Sequence, residues 1–215
     1  MANFQRSKRK ILCIGFQGTG GVRLKLALAG LGYRAFGWDD ETYVSMIENM
    51  IDGNFSPLFR RAFERDAFFG PPWSVLYKEL DEHFPNAKFI LTLPANEARW
   101  LEAVRRGTLK GLRHGLPSAE YSEAMVNYYM FAQGAPGELK THFQRSVGEI
   151  RKHFAKRPGK LLEMCPEKGD GWEKLCPFLG DTPIPDVPFP SGKKPEVEGQ
   201  GAVDSPATVS QPVGV

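Results

Sequence analysis

The chain has 215 residues, of which 41% are apolar and 12% aromatic, and its formal net charge is +3 at pH 7. These values predict a globular protein of one domain with a full core, and they exclude a chain that is disordered throughout. So small a charge suits anionic small molecules and argues against a nucleic-acid-binding protein. No run approaches the ~20 apolar residues of a membrane span. The three cysteines form no disulfide or metal pattern, so we expect a cytoplasmic protein with reduced thiols.

The predicted elements alternate between strands and helices along the chain. A short apolar strand at 11–14 is followed by glycines and then by a helix to about residue 31. Further strands are predicted at 33–38, 66–69, 88–93 and 160–165, and helices at about 42–51, 57–64, 73–84, 96–105, 118–132, 137–156 and 170–179. Such alternation indicates parallel βαβ units. We therefore predict an α/β fold with three layers, in which helices flank a central, mostly parallel sheet of about five strands.

The composition changes near the end of the chain. From Pro183 onward it shifts to proline, glycine, serine and valine, and few large apolar residues follow position 190. We predict one domain over residues 1–190 and a disordered tail over 191–215.

The segment between the first predicted strand and its helix is typical of an anion-binding loop. It contains Gly15, Gln17, Gly18, Thr19, Gly20, Gly21 and Val22. Glycines allow backbone N–H groups to approach a phosphate, and the start of the following helix adds partial positive charge. Arg23 and Lys25 follow in the first turns of that helix and add formal charge. We predict that the loop residues bind the phosphate of a nucleotide and that Arg23 and Lys25 act beside it.

Two common nucleotide-binding patterns are matched only in part by this loop. Gly15 and Gly20 have the spacing of G-x-x-x-x-G-K-[ST], but Gly21-Val22 replaces the lysine and the hydroxyl residue, which disfavours a Mg²⁺-dependent nucleoside triphosphatase. The dinucleotide pattern G-x-G-x-x-G fails because Gly18 and Gly20 are followed by Arg23. A tight turn without a ligand is the alternative interpretation, since a strand-to-helix connection often needs glycine.

Several segments between residues 10 and 190 together follow the pattern of one known family. They are 14–25, 31–33, 76–80, 84–92, the run GWEKLCPFLG at 171–180 and the run PDVPFP at 185–190. Through them the chain resembles the sulfotransferase-like P-loop proteins, in particular a small branch common in fungi and animals. The resemblance implies a P-loop-like form of the three-layer fold. It also implies transfer of a sulfuryl group from adenosine 3′-phosphate 5′-phosphosulfate (PAPS) to a hydroxyl or amine, without a metal.

The resemblance further implies how the two substrates are held. The glycine loop would hold the 5′-phosphosulfate, while an arginine after the fourth strand and a serine in the next helix would hold the 3′-phosphate. A general base would take the proton of the small-molecule acceptor. The partners implied are thus a small-molecule acceptor and an anionic nucleotide donor, with no nucleic acid and no membrane span.

The sequence departs from the family pattern at these positions. Gln17 and Gly18 stand where the family has a proline and a basic residue, and 21–23 replace its hydroxyl residues. After the fourth strand, 93–95 reads Leu-Pro-Ala in place of a hydrophobic residue, arginine and aspartate. Loss of a single donor to developing charge costs about 10²–10³ in rate, so losing several predicts little ordinary PAPS chemistry.

Two hypotheses therefore stay open. In the first, the protein is a PAPS-dependent sulfotransferase whose catalytic residues are Arg23, Lys25 and His114, the last in a glycine-rich loop at 107–117. In the second, the fold persists as a catalytically inactive or repurposed binding or scaffold protein. A dinucleotide-dependent reductase or epimerase is a third reading that rests on the glycine loop alone. The sequence determines neither the acceptor nor the oligomeric state.

Two predictions about side chains outside the loop complete this set. Within the predicted helix 57–64, we expect Leu58, Phe59, Ala62 and Phe63 to face the core. Within 73–84, we expect Asp81 to lie on a solvated helix surface, as charged side chains usually do.

Overall fold

Five strands form the centre of the fold in the computed structural model, which describes residues 9–37, 40–70, 73–104, 139–180 and 182–191. The strands are β1 (Ile11–Cys13), β2 (Ala35–Phe36), β3 (Ala67–Phe69), β4 (Lys88–Thr92) and β5 (Leu161–Met164). The helices are α1 (Gly21–Gly30), α2 (Tyr43–Ile51), α3 (Ser56–Glu64), α4 (Tyr77–His83), α5 (97–104 as far as it is described), α6 (Leu139–Phe154) and α7 (Trp172–Leu179). A short 3₁₀ turn, Pro166–Lys168, follows β5.

The sheet has the strand order β2-β3-β1-β4-β5, and every neighbouring pair is parallel. The chain moves from β1 towards the β2 edge of the sheet, and from β4 towards the β5 edge. Connections therefore leave the adjacent strands β1 and β4 in opposite directions, which opens a crevice at their carboxyl ends where ligands of such sheets bind. The predicted α/β fold with a mostly parallel sheet is confirmed.

Both faces of the sheet are apolar and covered by helices. Leu12 and Phe89 point to the face that α2, α4, α5 and α6 cover, whereas Ile11 and Ile90 point to the face under α1 and α7. Strands buried on both sides read as continuous apolar runs rather than as alternating ones. This is why the short strands could be recognised from the sequence.

Three of the predicted boundaries and orientations are wrong. β2 is limited to Ala35–Phe36, and α4 begins only at Tyr77 because Trp73 lies in the preceding turn with its ring fully buried. Phe63 was expected to face the core but is 67% exposed and contacts the ring of Phe84 at its edge. The inward face of α3 consists of the buried Leu58 and Ala62, one turn apart, together with Phe59, which is partly buried against the core as predicted.

Asp81 is buried, contrary to the prediction of a solvated side chain. Its carboxylate is only 4% exposed and lies 2.8 Å from His153 Nε2, 2.5 Å from Arg157 Nη1 and 3.1 Å from Lys160 Nζ. Burial opposes ionisation, but the hydrogen bonds from these three side chains outweigh it and lower the pKa of Asp81. The pattern of α4 alone misses this, because all three partners come from much later in the chain.

Several predictions lie outside the described residues. These are His114 with its loop, the helix predicted at 118–132, and all but the first residue of the tail predicted at 191–215. The division into a domain and a tail therefore stays a prediction. Within the described ranges, no helix combines the length and the apolar composition that crossing a membrane requires.

Candidate functional site

The glycine loop joins β1 to α1 at the carboxyl edge of the sheet. It leaves β1 beside β4, where the Ile14 amide donates to the Ile90 carbonyl at 2.9 Å. The loop thus lies at the crevice between β1 and β4 that the strand order creates. The sequence located the loop correctly, but only the sheet order shows that it occupies this crevice.

Gly15 allows the loop to cross the end of β4 in close contact. A Cβ atom at this position would lie 1.9 Å from Thr92 Oγ1 and 2.8 Å from the Thr92 backbone nitrogen. Because the second of these atoms belongs to the main chain of the sheet, it cannot move aside cheaply. Gly15 is therefore required for the packing of the loop, whatever the loop binds.

The side chain of Thr19 faces the interior of the protein. Its hydroxyl donates to the Phe16 carbonyl at 2.5 Å and lies 2.6 Å from the Thr92 hydroxyl, and its amide also donates to Phe16 at 3.3 Å. Since the proton of the Thr19 hydroxyl is used on Phe16, the Thr92 hydroxyl is the donor of the pair. Thr19 and Thr92 are 0% and 1% exposed. Their side chains shape the loop from below, and the open surface of the loop is made of backbone.

The loop ends at the open first turn of α1. Gly20, the residue before the helix, has φ of +108°, and a Cβ there would lie 2.9 Å from Pro166 Cγ. Leu24 N–H donates to the Gly20 carbonyl at 3.2 Å, whereas the amides of Gly21, Val22 and Arg23 have no acceptor among the residues that the structure describes. No side chain caps this helix, and no acidic residue lies in its first turn. These donors and the helix dipole make the turn suitable for an anion.

The remaining predicted site residues lie around this turn in different roles. Arg23 donates from Nη1 to the Pro166 carbonyl at 3.1 Å, which ties α1 to the turn after β5. The Gln17 carbonyl accepts a 2.7 Å bond from Trp100 Nε1, and Gly18 adopts φ of +77°. Val22 is 44% exposed, and Lys25 is half-buried in the second turn. That these residues bind a ligand stays a prediction, as does the catalytic role of His114.

An aromatic wall supports the start of the loop from the α5 and α6 side. The Phe16 ring meets Trp100 at 5.9 Å and Phe143 at 5.1 Å between centroids, both edge to face, and it meets His142 at 5.8 Å. The sequence pattern singled out neither Trp100 nor His142 as a site residue. The available signal for Trp100 was its place in the helix directly after β4, the strand next to the loop.

The opposite wall carries a carboxylate. The Ala95 amide, just after β4, donates to Glu167 Oε2 at 2.9 Å. Glu167 follows Pro166, whose ring packs on Gly20. The Glu167 carboxylate thus lies near the first turn of α1 and contacts the segment after β4, 93–95, in which the resemblance implies an arginine. In the described part of the chain, no three His, Cys, Asp or Glu side chains come together as metal ligands would.

Comparison with known proteins gives one match. A family model described as a sulfotransferase domain matches residues 10–197. The match includes every element described above, from β1 to the segment after α7. No curated protein matches the chain.

Proposed function

Because the chain belongs to the sulfotransferase domain family, we propose that it transfers a sulfuryl group from PAPS to a hydroxyl or amine of a small molecule. The observation that carries this proposal is the open first turn of α1. The amides of Gly21, Val22 and Arg23 point to no acceptor in the described residues and lie at the crevice between β1 and β4. Backbone donors at a helix N-terminus are well suited to hold a phosphate group.

The loop residues divide into two roles under this proposal. The backbone from Gly18 to Val22 holds the 5′-phosphosulfate, and Thr19 keeps that backbone in shape from below. PAPS supplies the sulfuryl group: the acceptor forms a new bond to sulfur, the bond from sulfur to the phosphate oxygen breaks, and adenosine 3′,5′-bisphosphate leaves with the electron pair. Arg23 and Lys25 stabilise the charge that develops on the leaving phosphate. On its sequence position alone, we propose His114 to accept the proton of the acceptor.

The first experiment places a negative charge on the proposed anion site with the variant Val22→Asp. Val22 is the second residue of α1 and 44% exposed, so the new side chain fits without burial. An acidic residue in the first turn stabilises a helix by about 0.3–1 kcal/mol, so folding stability should not fall. The same charge repels a bound anion. We expect calorimetric affinity for adenosine 3′,5′-bisphosphate to fall at least tenfold while the Tm stays equal or rises.

Leu26→Asp is the matched control for that variant. Leu26 lies one turn further along α1 and is 45% exposed, so the chemical change is closely similar at a greater distance from the turn. We expect a clearly smaller loss of bisphosphate affinity, about threefold or less, because this exposed charge lies about 6 Å further along the helix axis and acts on the anion through water. Equal loss in both variants would assign the effect to net charge and not to the loop. Absence of binding by the unchanged protein at millimolar bisphosphate would contradict the proposal.

The second candidate function is a catalytically inactive or repurposed binding protein. It is favoured by the bond from the Ala95 amide to Glu167, which brings a carboxylate to the segment after β4 that lacks the arginine implied for the 3′-phosphate. In that case the bisphosphate still binds, but PAPS yields no bisphosphate with a phenol, an alcohol or an amine as acceptor. Chromatographic measurement of the bisphosphate formed from PAPS separates the two functions.

A further inference from the structure

Three polar side chains of α6 lie next to the start of the glycine loop. They are His142, Arg145 and Ser146, within the first turns of the helix, and we call them the α6 cluster. The His142 ring packs against Phe16, the residue after Gly15, at 5.8 Å between centroids and an interplanar angle of 72°. This contact places His142 at the carboxyl edge of the sheet beside the loop, and Arg145 and Ser146 contact His142 from the next turn of α6.

The hydrogen bonds of the cluster leave donors free for a ligand. Arg145 Nη2 lies 3.5 Å from His142 Nδ1, and His142 Nε2 lies 3.4 Å from Ser146 Oγ. A guanidinium only donates, so Nδ1 is the acceptor, and a neutral imidazole then carries its proton on Nε2. The Ser146 oxygen accepts a hydrogen bond from this Nε2–H group. The hydrogen of its own hydroxyl is then available for another partner. The free polar hydrogens of the cluster therefore belong to Arg145 and Ser146.

The cluster carries one formal positive charge at neutral pH. Burial first, and then the charge of Arg145, lower the pKa of His142, while Glu149 on the same helix acts in the opposite direction. The nearest carboxylate of α5, Glu97, accepts a 2.9 Å bond from Gln144. Within the ranges that the structure describes, Arg145 forms no ion pair. Among the described residues, no carboxylate in direct contact neutralises its charge.

Arg145 differs in this from the loop's own Arg23. The Arg23 guanidinium is bound to the Pro166 carbonyl, on the side of the loop that faces β5. Arg145 lies on the α6 side, where its guanidinium contacts His142, whose ring packs against Phe16 at the start of the loop. An anion with two charged groups could thus be held at both ends of the loop, by the open turn of α1 and by the α6 cluster.

We propose that Arg145 and Ser146 form a second anion subsite that binds the sulfuryl end of PAPS, while the open first turn of α1 binds the adjacent phosphate. The assignment of the ligand rests on the function proposed above. His142 is a positioning residue, because it contacts Arg145 and Ser146 on their inner side. Arg145 supplies the formal charge that Gln17 and Gly18 do not provide in the loop.

The test compares two ligands that differ only in the sulfuryl group. For the unchanged protein, calorimetry should give tighter binding of PAPS than of adenosine 3′,5′-bisphosphate. Arg145→Gln should weaken PAPS about tenfold and the bisphosphate less than twofold, while Arg145→Lys should keep part of the difference. Lys152→Gln removes one exposed positive charge from the far end of α6 and should change neither affinity. Equal effects of Arg145→Gln on both ligands, or no effect, would overturn the subsite.

A second readout needs no nucleotide. Titration of the His142 imidazole by NMR, assigned with His142→Gln, should show its pKa rising saturably as inorganic sulfate replaces chloride at constant ionic strength. Arg145→Gln should abolish this response. If the protein binds neither nucleotide but still shows the sulfate response, the anion subsite stands and the proposed function fails. If sulfate leaves the pKa of His142 unchanged, the subsite itself is refuted.

Discussion

The buried hydroxyl pair under the loop predicts a definite order of stability among variants of its two residues. Thr19 donates to the Phe16 carbonyl and accepts from Thr92, so it takes part in two hydrogen bonds and Thr92 in one. Thr92→Val removes one bond and leaves Thr19 still bound to Phe16. Thr19→Val removes both and leaves the Thr92 hydroxyl, 1% exposed, without this partner. The two substitutions are chemically the same, but only Thr19→Val leaves a buried hydroxyl without its hydrogen-bond partner.

The expected losses of unfolding free energy follow from this difference. A hydrogen bond contributes about 1 kcal/mol net, and an unsatisfied buried hydroxyl costs about 1–3 kcal/mol. We expect about 1 kcal/mol for Thr92→Val and about 3–5 kcal/mol for Thr19→Val. The double variant loses both bonds but buries no orphan hydroxyl, so it should lose only about 2 kcal/mol. Adding Thr92→Val to Thr19→Val should therefore stabilise the protein.

Urea unfolding at 25 °C measures all three variants, with Thr141→Val on the exposed surface of α6 as the control for the chemical change. The control should stay within about 0.5 kcal/mol of the unchanged protein. If the double variant is no more stable than Thr19→Val, the hydroxyls are not coupled and the described geometry of the loop is refuted. Thr19→Val should also weaken bisphosphate binding, because it releases the backbone that we propose to hold the phosphate.

Three further predictions concern other parts of the fold. The lowered pKa of Asp81 means that its contribution to stability is present above its unfolded pKa near 4 and is lost as pH falls through the folded value. Asp81→Asn should therefore flatten the acid limb of a Tm-against-pH curve, and an unchanged limb would contradict this. In chemical unfolding, Gly20→Ala should lower the free energy of unfolding by more than about 1 kcal/mol, because a Cβ there is strained and meets Pro166. Gly21→Ala, whose Cβ meets open space, should leave that free energy unchanged or raise it. Trp172 Nε1 donates to the Val187 carbonyl at 2.8 Å and so holds the segment 182–191 against α7. Trp172→Phe should therefore lower the free energy of unfolding by about 2 kcal/mol and expose 182–191 to proteolysis. An unchanged cleavage rate would show that Trp172 does not restrain this segment.

The local elements could be predicted from the sequence because each one carries its own pattern. Apolar runs bounded by glycine or proline predicted the strands. The helical spacing of Leu24, Leu28 and Leu31 predicted α1. The same information placed the anion-binding loop before α1, and the resemblance at 171–180 gave the family that the match over 10–197 confirms. These features depend on neighbours in the chain, so no knowledge of the sheet order was needed.

The features that the sequence did not reveal depend on distant partners. Thr19 is predicted to lie in the ligand-binding loop, but the sequence did not show that Gly15 brings β4 so close that the Thr19 hydroxyl meets Thr92. Asp81 has an ordinary helical context, and only the fold brings His153 of α6 and Lys160, just before β5, next to its carboxylate. The bond between Ala95 and Glu167 likewise joins the loops after two neighbouring strands. Each of these contacts follows from the order β2-β3-β1-β4-β5, which local patterns do not encode.

The central position of β1 in the sheet affects how the chain folds while it is being synthesised. Both edges of β1 are occupied, by β3 and by β4, and both partners emerge from the ribosome much later than β1 itself. Until Thr92 has been made, Ile11–Cys13 keeps an open apolar edge that can recruit other nascent chains. A fragment that stops before Lys88 should accordingly aggregate, although it contains the whole glycine loop.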